Sequence, residues 1–125
     1  MMPNSKKKIR TVVIEDERRA RETLVKLLTK YCPEVEVAGE ADSVNGAIEI
    51  IKQIKPKLVF LDIELIGGTG FDVLEHMTPY DFWVVFTSAY EKYEEIAKQY
   101  PNSVLMFKPL GIEDVINQVK QIFWK

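Results

Sequence analysis

The sequence has one cysteine and one histidine among 125 residues. A single cysteine excludes an internal disulfide framework. Cys32 stands at the end of a helical stretch just before Pro33, and reads as a buried structural thiol rather than a reactive one. His76 reads as a solvent-facing or structural residue rather than a catalytic or metal-binding one. No segment approaches the length of a membrane span. The basic residues near the start are not followed by an apolar stretch long enough for a signal peptide. A reducing, cytoplasmic setting without membrane association is therefore expected. Excess charge of either sign is also missing. The net charge is -2, which gives no basic footprint for nucleic acid through this domain. Lys6, Lys7, Lys8 and Arg10 form a short lead-in, read as a solvated tail rather than a phosphate-contacting arm.

What is present is the material of a packed domain. Hydrophobic residues make up 46% of the chain and charged residues 29%, ordinary values for a globular protein. The length suits one domain able to bury a real core without staples. Residues 1–8 read as a tail and 9–125 as the domain.

Short apolar runs alternate with helical periodicity. Residues 9–14 are a β-branched run and predict a strand. Ala20, Leu24, Leu27, Leu28 and Tyr31 recur at helical spacing between Glu17 and Cys32, and Pro33 stops that helix. Val35 to Ala41 predicts a second strand. Ser43 is placed to cap a helix carrying Ala47, Ile50, Ile51 and Ile54 on one face, ended by Pro56. Leu58 to Leu61, apolar throughout, predicts a strand covered on both faces. A short helix from about Gly70 to His76 follows, then a strand over 82–86. Tyr93, Ile96, Ala97 and Tyr100 mark a fourth helix ended by Pro101. A strand over 103–107 and a last helix with Ile112, Val115, Ile116, Val119, Ile122 and Phe123 complete the chain. Phe123 and Trp124 read as the packed last turn of that helix, or as a junction to a following domain. The fold class is α/β: a doubly wound, five-stranded parallel sheet in the order 2-1-3-4-5 with five helices.

Ligands of such sheets sit beyond the carboxyl ends of the strands, at the point where strand order reverses. Here that point lies between strands one and three. Glu15-Asp16-Glu17 closes the first apolar run, Asp62 closes the third, and Lys108, followed by Pro109, closes the last. Taken alone, Glu15-Asp16-Glu17 would be a helix N-terminal acid cluster favoured by the helix dipole. In register with Asp62 and Lys108 it becomes half of a site. Two unit charges about 4 Å apart cost roughly 4 kcal/mol at an effective dielectric of 20, so gathered carboxylates take up a proton or a cation. Mg2+ favours hard oxygen ligands. Glu15, Asp16 and Asp62 supply them, and the backbone carbonyl of Glu64 offers another. An aspartate carboxylate can attack phosphorus to form an acyl phosphate, a transfer that needs mainly positioning and charge neutralisation. Lys108 would share the neutralising role. Thr87 and Ser88 are both available as hydroxyl donors. The Gly67-Gly68-Thr69-Gly70 loop reads as a plain turn rather than a phosphate loop, because it follows strand three rather than strand one.

These runs, Val13-Ile14-Glu15-Asp16-Glu17, Val59-Phe60-Leu61-Asp62-Ile63-Glu64, Thr87-Ser88-Ala89-Tyr90 and Phe107-Lys108-Pro109-Leu110, resemble the receiver domain of a two-component response regulator (CheY-like). The likeness extends over about 9–124. The Glu-Asp-Glu start, the Asp-Ile-Glu segment and the Ser-Ala-Tyr stretch further resemble LytTR-type regulators. The resemblance implies that Glu15 and Asp16 hold Mg2+, that a sensor histidine kinase phosphorylates Asp62, and that Lys108 pairs with the phosphoryl group. It favours Ser88 over Thr87 as the switch hydroxyl, with Ala89 the small neighbour. It implies self-phosphorylation and autodephosphorylation chemistry only, not an enzyme acting on other substrates. It also implies a dimer or effector surface on helix four, strand five and helix five. The expected output is transcriptional regulation, with DNA bound by a separate C-terminal effector domain absent from this chain. Three positions depart from the family pattern. Leu105 stands where an aromatic is usual, Ile66 where a proline is usual, and 99–103 lacks the usual Gly-Ala approach to the last strand.

Other functions fit less well. A haloacid-dehalogenase-like phosphatase would place a second aspartate where Glu64 stands, and would need a cap. In a flavodoxin-like FMN binder, Glu15-Asp16-Glu17 would repel the phosphate. A non-phosphorylated receiver acting as an interaction module is the remaining alternative, motivated by Leu105 and Ile66.

Overall fold

A computed structural model describes residues 8–123. Its elements are β1 (Ile9–Ile14), α1 (Arg18–Tyr31), β2 (Val35–Ala41), α2 (Val44–Ile54), β3 (Leu58–Asp62), β4 (Glu64–Leu65), β5 (Gly68–Thr69), α3 (Gly70–Glu75), β6 (Trp83–Ser88), α4 (Glu94–Ala97), β7 (Ser103–Phe107) and α5 (Ile112–Phe123). The large sheet is parallel, ordered β2-β1-β3-β6-β7. In terms of its five long strands this is the predicted 2-1-3-4-5.

Alternation along each strand divides the core in two. Val12 and Ile14 of β1 and Val59 and Leu61 of β3 join Ala47, Ile51, Phe71 and Leu74 on one face. Val13, Leu58 and Phe60 join Leu24, Leu28, Val115 and Val119 on the other. Every residue of β3 is buried, as a strand covered on both faces requires. Ser43 caps α2 by accepting from the Gly46 amide at 3.0 Å. Cys32 is buried and free, and His76 is exposed. Phe123 packs partly against the second core cluster. Lys6, Lys7 and Trp124 lie outside the described residues. Among the described residues no helix is long and apolar enough to cross a membrane.

Three elements differ from the sequence expectation. The strand expected over 82–86 runs Trp83–Ser88. Its ladder continues through Asp62↔Thr87 and Ser88↔Phe107, a polar end that apolar patterning does not mark. The glycine loop is a turn, as expected, but one closed by two short strands, β4 with β5, that the sequence did not mark. Gly67 takes φ +90° in its turn, a backbone conformation that favours glycine. The position before it favours proline but accepts Ile66. Ile66 keeps the main-chain role, since its carbonyl accepts from the Val44 amide at 3.0 Å. The fourth helix is shorter than its apolar spacing suggested. A 3₁₀ turn, Glu91–Tyr93, leads into the four-residue α4. Gln99 and Tyr100 amides then bond back three residues, to Ile96 and Ala97 at 3.1 Å each. This tightened ending sends Tyr100 inward to stack on Phe71 at 5.3 Å.

Candidate functional site

β1, β3 and β7 end at the same edge and bring Glu15, Asp62 and Lys108 together. The Glu15 main chain is fixed from both sides. Its amide donates to the Ala41 carbonyl at 3.0 Å, and Arg21 Nη1 donates to its carbonyl at 2.8 Å. Arg21 is in turn paired with Glu40 at 3.3 Å. Glu15 and Glu17 do not act as a capping cluster. Glu17 occupies the N-cap of α1 without a side-chain cap, while a Glu15 carboxylate oxygen takes the Glu17 amide at 3.0 Å. The other Glu15 oxygen receives Lys108 Nζ at 2.8 Å. The same ammonium lies 3.1 Å from Asp62 Oδ2. Carboxylate oxygens of Glu15, Asp16 and Asp62 fall within 4.8 Å of one another. Glu15 and Asp62 are buried, and Asp16 is exposed at the rim.

Two glycine and hairpin features complete the edge. A Cβ on Gly70 would stand 2.7 Å from the Asp62 carbonyl oxygen and 2.9 Å from Leu61 Cγ. Only glycine lets α3 begin this close to Asp62. The Gly70 amide donates to the Ile63 carbonyl at 2.8 Å. In an antiparallel ladder hydrogen-bonded and non-bonded positions alternate, so the Glu64 carbonyl falls between bonded positions and is left off the hairpin ladder.

Thr87 and Ser88 are both buried. Thr87 lies in register with Asp62. Ser88 is one residue nearer the edge. Its carbonyl accepts the Lys108 amide at 2.8 Å, and its Oγ accepts the Tyr90 amide at 2.9 Å. Sequence patterning did not single out Arg21 or Glu40, and it marked Tyr93 as part of the fourth helix without its bond to Glu64. Arg21 is the half-buried cation on α1, a hint that helical spacing alone does not give.

One ammonium serves two buried carboxylates, and the electrostatics follow from that shortage. Asp62 is pushed up to about 7, first by desolvation and then by Glu15, against the pull of Lys108. For Glu15, desolvation is the largest single influence and acts upward. The Lys108 hydrogen bond, the Glu17 amide and Asp62 together outweigh it and hold Glu15 below the usual range. Asp16 is raised by desolvation and by Glu15. Lys108 is raised: its two carboxylates outweigh desolvation, which alone would lower it. The arrangement holds a proton near Asp62 at neutral pH, or takes a cation in its place. All-oxygen donors at this spacing suit a hard divalent ion.

Beside the site, between α1 and the β7–α5 connection, opens a recess of about 610 Å3 lined by Ala20, Leu24, Leu27, Ala89, Pro109 and Leu110. Lys108 and Glu15 reach its wall.

Comparison with known proteins bears on the family and the fold. The chain is 39% identical over 113 residues to the sensory transduction protein LytT of Enterococcus faecalis, covering 86% of this chain and 45% of that protein. It is 33% identical over 115 residues to LytT of Bacillus cereus, covering 90% of this chain and 46% of that protein. The chain thus spans less than half the length of these curated relatives. The receiver domain of the PhyR response regulator from Erythrobacter litoralis superposes with a TM-score of 0.80 at 27% identity, covering 94% of this chain and 91% of that one. Residues 11–120 match the response regulator receiver domain family, and the chain belongs to that family.

Proposed function

We propose that this receiver domain is a phospho-accepting switch in which Asp62 takes a phosphoryl group from a sensor histidine kinase. The observation that carries the proposal is Lys108 Nζ held between Glu15 and Asp62, at 2.8 and 3.1 Å, with Asp16 in reach of both acids. The carboxylates of Glu15, Asp16 and Asp62 and the carbonyl of Glu64 would hold Mg2+. When bound, the ion supplies positive charge that keeps Asp62 ionised and screens the incoming phosphoryl oxygens.

In the transfer, an Asp62 carboxylate oxygen forms a bond to phosphorus. The bond from phosphorus to the donor's imidazole nitrogen breaks, and that nitrogen keeps the electron pair. Lys108 moves its share of charge from the free carboxylate to the phosphoryl oxygens. Ser88, with Thr87 as the alternative, donates its hydroxyl to one of those oxygens. The apolar recess beside α1 offers a docking wall for the kinase next to the reacting edge. Hydrolysis of the acyl phosphate by water would return Asp62 to its starting state. The chemistry is confined to the domain's own aspartate, so it is not an enzyme acting on other substrates.

The output would be transcriptional regulation in the cytoplasm, through an effector domain that binds DNA, as the LytTR-type resemblance implies. Ile96, Phe107 and Ile112 are exposed along α4, β7 and α5. They support that face as the dimer or effector surface.

Intact mass after incubation with Mg2+ and acetyl phosphate tests the proposal. One phosphoryl adduct is expected, dependent on Mg2+ and absent from Asp62→Asn. No adduct, and no response to beryllofluoride, would favour a non-phosphorylated interaction module instead.

A further inference from the structure

Tyr93 lies between two parts of the site that the backbone does not otherwise join. Its hydroxyl donates to Glu64 Oε2 at 3.0 Å, across 29 residues of chain. Glu64 is the residue whose main-chain carbonyl stands off the hairpin ladder at the site's edge. The rest of that hairpin is anchored elsewhere. Thr69 and Asp72 form a capping box on α3, and Ile66 accepts from Val44. Glu64 itself is exposed, and its tie runs to Tyr93.

The other side of Tyr93 leads back to Ser88. The Ser88 hydroxyl accepts the Tyr90 amide at 2.9 Å and reaches the Tyr90 carbonyl at 3.3 Å. The Tyr90 ring meets the Tyr93 ring edge-on at 6.5 Å. Lys92 Nζ sits 5.5 and 5.2 Å over the two rings. The Tyr93 ring also packs on Phe71 at 6.0 Å. Ser88, Tyr90, Tyr93 and Glu64 therefore form a short circuit from the hydroxyl end of β6 to the loop after Asp62. It passes through the 3₁₀ turn that leads into α4. Leu105 stands where the family usually carries an aromatic, and the ring contacts of this region run among Phe71, Phe86, Tyr90, Tyr93 and Tyr100.

We propose that Tyr93 is a positioning residue: its hydrogen bond to Glu64 holds the loop that offers the Glu64 carbonyl, and so couples cation binding at Asp62 to the turn before α4. This rests on the function proposed above. Coupling is reciprocal. Mg2+ must therefore quiet the 91–98 segment, and loosening that segment's hold on Glu64 must weaken Mg2+.

Tyr100 provides an internal control. It too is a tyrosine on Phe71 that donates to a glutamate, Glu75, at 2.7 Å, but Glu75 ends α3 away from the site loop. A merely structural loss would affect Tyr93→Phe and Tyr100→Phe alike.

The experiment titrates Mg2+ alone into the wild type, Tyr93→Phe, Glu64→Ala, the double variant and Tyr100→Phe. It reads affinity by calorimetry and amide hydrogen exchange over 91–98. In the wild type, Mg2+ is expected to slow exchange in that segment. Tyr93→Phe should weaken Mg2+ by about three- to tenfold, the worth of one ordinary hydrogen bond open to water, and remove the exchange response. Glu64→Ala should do the same, and the double variant no more than either. Tyr100→Phe should keep the wild-type affinity. Equal affinity and equal exchange response in wild type and Tyr93→Phe would overturn the inference while leaving phosphorylation of Asp62 standing. Equal weakening by Tyr93→Phe and Tyr100→Phe would also overturn it. A wild type that binds no Mg2+ would overturn both readings.

Discussion

On one face of the sheet lie α1 and α5, 14 and 12 residues long. They bury Leu24, Leu27, Leu28, Val115, Val119 and Ile122 against Val13, Phe60 and Val85. On the other face α2 is a full helix, but α3 has six residues and α4 four. There Phe71, Phe86, Tyr93 and Tyr100 meet as rings. Single hydroxyl bonds finish the job: Tyr93 to Glu64, Tyr100 to Glu75 and Tyr80 to the Pro101 carbonyl. Aliphatic burial on long helices is costly to undo. A surface hydroxyl bond contributes about 0.5–1.5 kcal/mol and can exchange with water. The site joins the two faces, with Glu15 fixed from the α1 side by Arg21 and the loop after Asp62 fixed from the α4 side by Tyr93. The second face also buries an aliphatic core under α2, with Ile14, Ala47, Ile51, Leu61 and Leu74, so it is the ring-lined α3–α4 end of that face that can be re-set at low cost.

The largest effect should come from the aliphatic core. Leu28 is fully buried, and Leu28→Ala should cost about 2–5 kcal/mol. Urea denaturation should show it as a loss of global stability. Phosphorylation of the molecules that remain folded should persist.

The next effect should have the opposite sign. Asp62 sits at about 7 in the folded chain against an ordinary 3.8. An acid whose folded value is raised costs nothing below the unfolded value, an increasing amount between the two, and the full amount above the folded value. Without metal, Asp62→Asn should therefore stabilise the domain at pH 7.5 by about 2 kcal/mol, less than the whole shift because Lys108 loses a partner. The gain should fade towards pH 4. Melting in chelator across that range checks both sign and window. A third effect follows from the same group. Mg2+ must displace the Asp62 proton, so its affinity should fall about tenfold per pH unit below 7 and level off above. Calorimetry in matched buffers measures this slope.

The smallest effect sharpens the contrast between the faces. Tyr100→Phe should cost about 0.5–1.5 kcal/mol. The loss should appear as faster exchange confined to the ring-lined end, with the amides of α1 unchanged.

The aliphatic parts of both faces were also the parts legible in the sequence, Ala47 and Ile51 of α2 as much as the leucines of α1. Leu24, Leu27 and Leu28 recur at helical spacing, and the apolar runs ending at Ile14 and Leu61 mark strands whose ends carry the acids. Residues at strand ends gave the site, since Glu15, Asp16, Asp62 and Lys108 each close a run. What was not legible depends on contacts distant in sequence. Thr87 and Ser88 extend β6 through pairing with neighbours rather than through apolar pattern. The fourth helix shows an apolar period but ends early, because Tyr100 stacks on Phe71 and the last amides bond three residues back. The tie from Tyr93 to Glu64 has no local signature. The role of Gly70 shows only once α3 is seen to start against the Asp62 carbonyl. Ile66 and Leu105 departed from the family pattern, yet the turn takes Ile66 without losing its carbonyl bond. Leu105 packs beside the core cluster that holds Phe86.

The measurement that bears most directly on this account is hydrogen exchange across the whole domain before and after phosphorylation of Asp62 with Mg2+ and acetyl phosphate. The account predicts a response concentrated in residues 64–70 and 89–107, with α1 and the amides of β1 and β3 unchanged. A response spread evenly over both faces, or one centred on α1 and α5, would contradict it.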